Sequence, residues 1–155
     1  MLEKNQITDT PAETTPAVLS QNDTPITRFK AEVLRLINGE RKKNSAADLK
    51  EMEILGAMAD TRAKEASALF KHTRPDGTRC FTIFAENSLK YRAAGENLAL
   101  GFKTPETLVA AWMNSEGHRR NILDADFKYA GIGYFVNEKG TLYCSTLFYT
   151  PKSGK

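Results

Sequence analysis

Two histidines, two cysteines and one tryptophan are scattered through the 155 residues of this chain. Two cysteines cannot build a disulfide-dense miniature scaffold or a four-Cys zinc site. No apolar run approaches the roughly 20 residues that a membrane-spanning helix needs, so a helical membrane protein is excluded. Basic residues exceed acidic ones only as 22 to 19, and a net charge of +3 is too small to argue for a nucleic-acid partner. Aromatic residues are not scarce: eight Phe and five Tyr exclude a wholly disordered chain. The length suits one domain and not comfortably two. Any histidine chemistry must rest on His72 and His118.

The first 25 residues differ from the rest. They hold one basic residue, Lys4, against Glu3, Asp9, Glu13 and Asp23, so this stretch is −3 and the remainder +6. They hold three of the six prolines and no aromatic residue. Such a stretch buries too little apolar surface to offset its chain entropy. It reads as a flexible Thr/Pro-rich leader, followed by one domain over 26–150 and a tail over 151–155. No basic segment followed by an apolar segment of about 7–15 residues marks a secretory signal. Two locations stay open: cytoplasmic, or extracellular with a signal removed ahead of this chain. A Thr/Pro-rich spacer suits the second.

Within the domain, Phe29, Val33, Leu36 and Ile37 recur at helical spacing. Thr27 is the expected N-cap, and Arg41-Lys42-Lys43-Asn44 the expected basic end. Leu55, Met58, Ala59, Arg62, Ala66 and Leu69 form a second helical stripe. Arg74-Pro75-Asp76-Gly77 has the chemistry of a turn, and Arg74 and Asp76 read as turn residues. Cys80 to Phe84 fits either a strand or a helical turn, and Ala94 to Leu100 either a strand or a loop. Thr104-Pro105-Glu106 opens a third helix with a cap, a first-position proline and an acid at the positive dipole end. Leu108, Val109, Trp112, Ile122, Leu123 and Phe127 are the expected core. Gly131–Asn137 and Thr141–Phe148 read as a hairpin. Helices first and a hairpin last predict an α+β fold.

Four segments carry the functional signal: His72-Thr73-Arg74-Pro75-Asp76-Gly77, Gly95-Glu96-Asn97-Leu98-Ala99, Trp112 through Leu123 with Ser115-Glu116-Gly117-His118, and the Gly131-Ile132-Gly133-Tyr134 strand with its partner. In this order they resemble the bacterial branch of the CAP superfamily, also called SCP-like domains, over roughly residues 28–150. The resemblance implies an α-β-α sandwich with a central antiparallel sheet flanked by helices. It also implies a cleft lined by His72, Glu96 and His118. The second acidic position of eukaryotic members is Ser115 here. The glutamine of the last-strand pattern is Thr146 here.

That cleft sets the chemical expectations. Neutral imidazoles ligate zinc, copper or nickel. His72 and His118 are therefore candidate ligands for zinc or another divalent cation, the alternative being that they and Glu96 form a hydrogen-bonded network in a polar cleft; no other cofactor is implied. Glu96 is a further ligand, a general base, or a partner that orients a histidine, the last being preferred. Ser115 is adjacent and reads as a helix cap rather than a nucleophile, because no nucleophile-elbow motif surrounds it. Arg119 and Arg120 read as a solvated basic face, and Asn121 as a backbone partner near its helix end. Cys80 and Cys144 are either a disulfide, which would suit a secreted protein, or two buried free thiols. The first functional expectation is an extracellular or cell-surface binding or interaction module for a protein, peptide or lipid ligand. The alternatives are a metal-assisted hydrolase of peptides or cell-envelope material, and a lipid or sterol binder using residues 78–92.

Overall fold

A computed structural model describes residues 23–153; of the leader expected over residues 1–25, residues 1–22 lie outside the described residues. The first helix, α1 (Pro25–Lys43), starts one residue before Ile26, and its N-cap is Thr24 rather than Thr27. Proline is tolerated at the first helical position because that N–H has no helical partner anyway. Thr27 instead sits three residues on and closes a capping box: its N–H donates to Thr24 Oγ1 at 3.0 Å, and its Oγ1 accepts from Thr24 N–H at 2.8 Å. The remaining elements are β1 (Lys50–Glu51), α2 (Glu53–Ala68), α3 (Thr82–Glu86), β2 (Tyr91–Leu100), α4 (Pro105–Met113), α5 (Glu116–Leu123), β3 (Tyr129–Val136) and β4 (Leu142–Pro151). Cys80 to Phe84 therefore leads into a helical turn, and Ala94 to Leu100 is strand. The Thr104 cap forms as expected, its hydroxyl accepting from Thr107 N–H at 3.1 Å.

The sheet runs β1-β3-β4-β2. The last three strands are antiparallel, and the two-residue β1 joins β3 in parallel. Side chains alternate across the pleat, and each face builds its own core. One face packs Ala99, Ala130, Ile132, Cys144 and Phe148 against Val33 and Ile37 of α1, Leu108, Val109 and Trp112 of α4, and Ile122 of α5. The other packs Leu147 and Tyr149 against Leu55, Met58 and Ala59 of α2 and Ile83 and Phe84 of α3. This is the α-β-α sandwich. Of the expected core, Leu108, Val109, Trp112, Ile122 and Phe127 are buried, and Leu123 is partly buried against them.

Backbone meets backbone where α2 crosses β3. A Cβ on Gly131 would lie 2.3 Å from the Leu55 carbonyl carbon, and one on Gly133 would lie 2.0 Å from Ala59 O. Strand positions i and i+2 share a face, as do helix positions i and i+4. Two glycines thus make a flat seat for one helical ridge. Arg41 leaves the basic end of α1 for the interior, fully buried. It donates to the carbonyls of Ala47, Ile122, Asp124 and Phe127 at 2.7–3.2 Å, two of them at the C-terminal end of α5, where helical carbonyls lack intrahelical partners. Cys144 belongs to the α1/α4 core, whereas Cys80 lies beside Glu96 on the α2 side. Both are free and buried; the sheet stands between them, which decides between the two cysteine readings.

The glycine seat predicts opposite outcomes for two glycines of this contact. Gly133→Ala lowers stability by about 3 kcal/mol or more, since helix backbone cannot yield as a side chain does. Gly56→Ala, whose Cβ meets nothing within 4 Å on α2, raises stability by about 0.5–1 kcal/mol. Urea melts of the two variants check both signs.

Candidate functional site

Strand β2 is a sheet edge, and its outward carbonyls would be exposed acceptors unless covered. Two side chains cover them. Asn121 Nδ2 donates to Glu96 O at 3.3 Å, and Trp112 Nε1 donates to Leu98 O at 3.0 Å. Asn97 completes the attachment: its Nδ2 donates to His118 O at 3.1 Å, and its Oδ1 accepts from Asn121 Nδ2 at 3.0 Å. Asn121 thus bonds a distant strand rather than its own helix end. Gly95 leaves the room this needs, because a Cβ there would lie 3.0 Å from the Phe127 ring and 3.1 Å from Asn121 Oδ1. The Gly-Glu-Asn-Leu stretch therefore clamps α4 and α5 to the sheet edge, and His118 arrives with them.

Glu96 points to the other face and is nearly sealed, its side chain 1% exposed. Arg62 of α2, fully buried, holds it in a two-point ion pair: Nε to Oε2 at 2.6 Å and Nη2 to Oε1 at 3.1 Å. Arg62 also donates to Glu65 Oε1 and to Lys71 O, both at 2.8 Å. The Lys71 carbonyl immediately precedes His72, whose Nδ1 lies 2.8 Å from Glu96 Oε1. A carboxylate at that nitrogen favours the Nδ1–H form, which leaves the Nε2 lone pair as the imidazole's acceptor. His72 itself is 60% exposed. Glu96 thus contacts both Arg62 and His72.

Arg74 is buried and is no mere turn residue. It donates to Glu65, Glu86 and Thr82 Oγ1 at 2.8–3.2 Å. Asp76 does serve its turn, accepting from Thr78 N–H at 2.9 Å. The loop closes with the Cys80 N–H donating to His72 O at 2.8 Å. This brings Cys80 to the site. One donor atom each from His72, Cys80 and Glu96 lies within 4.8 Å of the other two. Burial, then the Glu96 charge, pushes the Cys80 thiol up to about 12.

His118 lies outside that three-residue group. It is half-buried, with its ring 6.3 Å from the Trp112 ring. Burial first, then the charge of His72, holds its pKa below the usual histidine value, so a neutral ring capable of ligation is favoured. Ser115 occupies the N-cap position of α5, but its side chain makes no capping bond. Arg119 and Arg120 are exposed. The Thr146 hydroxyl is buried without a hydrogen-bond partner among the described residues, on the strand position paired with Asn97. Two participants are not marked as site residues by the sequence. Arg62 carries a signal, a charge on an apolar stripe, whereas nothing local to Cys80 shows that it faces the site.

The ion-pair system makes two predictions. Glu96→Gln takes the two-point partner from the buried Arg62 guanidinium, which keeps Glu65, and costs about 1.5–3 kcal/mol, while the apolar pair Arg62→Met with Glu96→Leu recovers most of that in denaturant melts. Acid acts through Glu65. Burial raises its pKa, but the hydrogen bonds from Arg74 and Arg62 outweigh burial and leave it below the usual 4.5. The native state then binds this proton less readily than the unfolded chain. The contribution is complete above pH 4.5 and is lost as pH falls through the lower native value. Glu65→Gln flattens the stability profile below pH 4.5.

Known proteins share this fold. The model of the cysteine-rich secretory protein (CAP) family matches residues 34–149. YkwD of Bacillus subtilis is 37% identical over 120 residues, which is 76% of this chain and 46% of YkwD. The chain spans less than half the length of the curated relatives it matches. Among solved structures, an extracellular SCP-domain protein of Bacillus anthracis superposes with a TM-score of 0.71 at 22% identity, over 82% of this chain and 44% of that one. An outer surface protein of Borrelia burgdorferi gives the same TM-score and identity, over 77% of this chain and 90% of that one. With the sandwich in place and a family match over most of its length, this chain belongs to the CAP family.

Proposed function

We propose that this CAP domain is an extracellular or cell-surface binding module whose cleft, centred on His72, Glu96 and His118 with Ser115 adjacent, takes a divalent cation on its two imidazoles. The observation that carries the reading is the 2.8 Å contact between the buried Glu96 carboxylate and His72 Nδ1. A carboxylate behind an imidazole fixes its tautomer and raises its basicity as a ligand. The depressed pKa of His118 supports the same role for the second ring. The extracellular placement draws on the B. anthracis and B. burgdorferi proteins, which are described as extracellular and outer-surface.

Binding is favoured over hydrolysis. Glu96 is engaged by Arg62 and His72, which leaves it poorly placed as a general base, and Ser115 supplies no second acid. The lipid reading is weakened because Ile83 and Phe84 of the 78–92 stretch are spent on the α2-side core.

Calorimetric titration with zinc tests the proposal. The full chain is expected to bind one equivalent, and the His72→Ala, His118→Ala double variant to bind none while keeping its thermal melt. Identical titrations for the two proteins would falsify the metal assignment.

A further inference from the structure

We propose that Cys80 is a direct sulfur donor in this cleft, making it selective for thiophilic cations such as zinc or cadmium and closed to magnesium and calcium. The inference rests on the reading that the cleft takes a cation at His72. It adds a donor and the class of ion.

The argument begins with charge. Glu96 is the carboxylate in the donor group, and the guanidinium of Arg62 already neutralises it through two hydrogen bonds. Hard cations are held by several oxygen ligands, with carboxylates supplying the charge. Here one carboxylate faces a permanent cation, so the oxygen charge available to an incoming ion is close to nil. A soft or borderline ion depends less on that charge and more on imidazole and thiolate. The site supplies both. The His72 ring and the Cys80 thiol belong to one donor group.

Geometry agrees. Nitrogen and sulfur donors on one tetrahedral zinc, at bond lengths of about 2.0 and 2.3 Å, lie about 3.6 Å apart. The donor atoms of His72, Cys80 and Glu96 are within 4.8 Å of each other. The small closure needed falls on the His72 ring, whose side chain is 60% exposed. Cys80 is held in place by its N–H bond to His72 O, so the loop carries both donors as one unit. Binding replaces the S–H bond with a sulfur–metal bond and releases the proton to solvent. No electron is transferred.

The test adds cadmium, zinc or magnesium to the reduced full chain and to Cys80→Ser, Cys80→Ala and Cys144→Ala, with thermal melts in metal-free buffer as the folding control. Cadmium is expected to produce thiolate-to-metal charge-transfer absorption in wild type and Cys144→Ala, and none in either Cys80 variant. Zinc affinity in the Cys80 variants is expected to fall at least about 100-fold, the upper end of what losing an outer-sphere partner costs. Magnesium in large excess is expected to leave zinc binding unchanged. Zinc binding of equal strength in wild type and the Cys80 variants, with no charge-transfer band, overturns the sulfur assignment and leaves the histidine reading standing. Absence of binding by wild type to any of the three ions overturns both. The absorption of wild type together with Cys144→Ala decides the matter even if a Cys80 variant fails to fold.

Discussion

The guanidinium of Arg62 is fully buried and donates four hydrogen bonds: two to Glu96, one to Glu65 and one to the carbonyl of Lys71. Those bonds join α2, the edge strand β2 and the loop that begins at His72. Desolvating a guanidinium is expensive, and the return comes only when every donor finds a well-placed acceptor. Such a pair contributes little net stability compared with apolar residues of the same size. It contributes specificity, because the loop and the strand have one arrangement in which Arg62 is satisfied. The candidate cleft inherits its precision from that requirement: the carbonyl before His72 bonds Arg62, and the His72 ring meets the carboxylate that Arg62 holds.

A second clamp works from the opposite face. Trp112 and Asn121 satisfy the outward carbonyls of β2, and Asn97 reaches back to the carbonyl of His118. An edge strand that would otherwise be free to pair with another chain is covered by α4 and α5. The same bonds carry His118 to the strand segment that carries Glu96. Two histidines 46 positions apart in the chain therefore come within electrostatic reach of each other at one strand, each delivered by a different part of the sandwich.

Much of this is legible in the residues. The helical stripes of α1 and α2, the Thr104-Pro105-Glu106 start and the final hairpin depend on spacing and local capping, and all form. The motif segments mark His72, Glu96 and His118, and the family expectation agrees with the sandwich found. The differences share a cause. By sequence neighbours alone, Thr27 is the nearest cap before an apolar run and Arg74 a residue beside Pro-Asp-Gly. Their structural roles come instead from Pro25 starting the helix earlier and from Glu65 and Glu86 lying on other elements.

The sequence by itself determined the elements, their amphipathic faces and the identity of the motif residues, because backbone propensity and hydrophobic period are local properties. Only the tertiary structure decided that Arg62 neutralises Glu96, that Cys80 joins His72 and Glu96 while Cys144 lies across the sheet, and that Gly131 and Gly133 seat α2. Each depends on residues from separate elements brought together by packing; Arg62 and Glu96 alone are 34 positions apart. A buried charge or a close backbone contact leaves no periodic trace in the chain, since its energy is defined by what it meets rather than by what surrounds it in sequence.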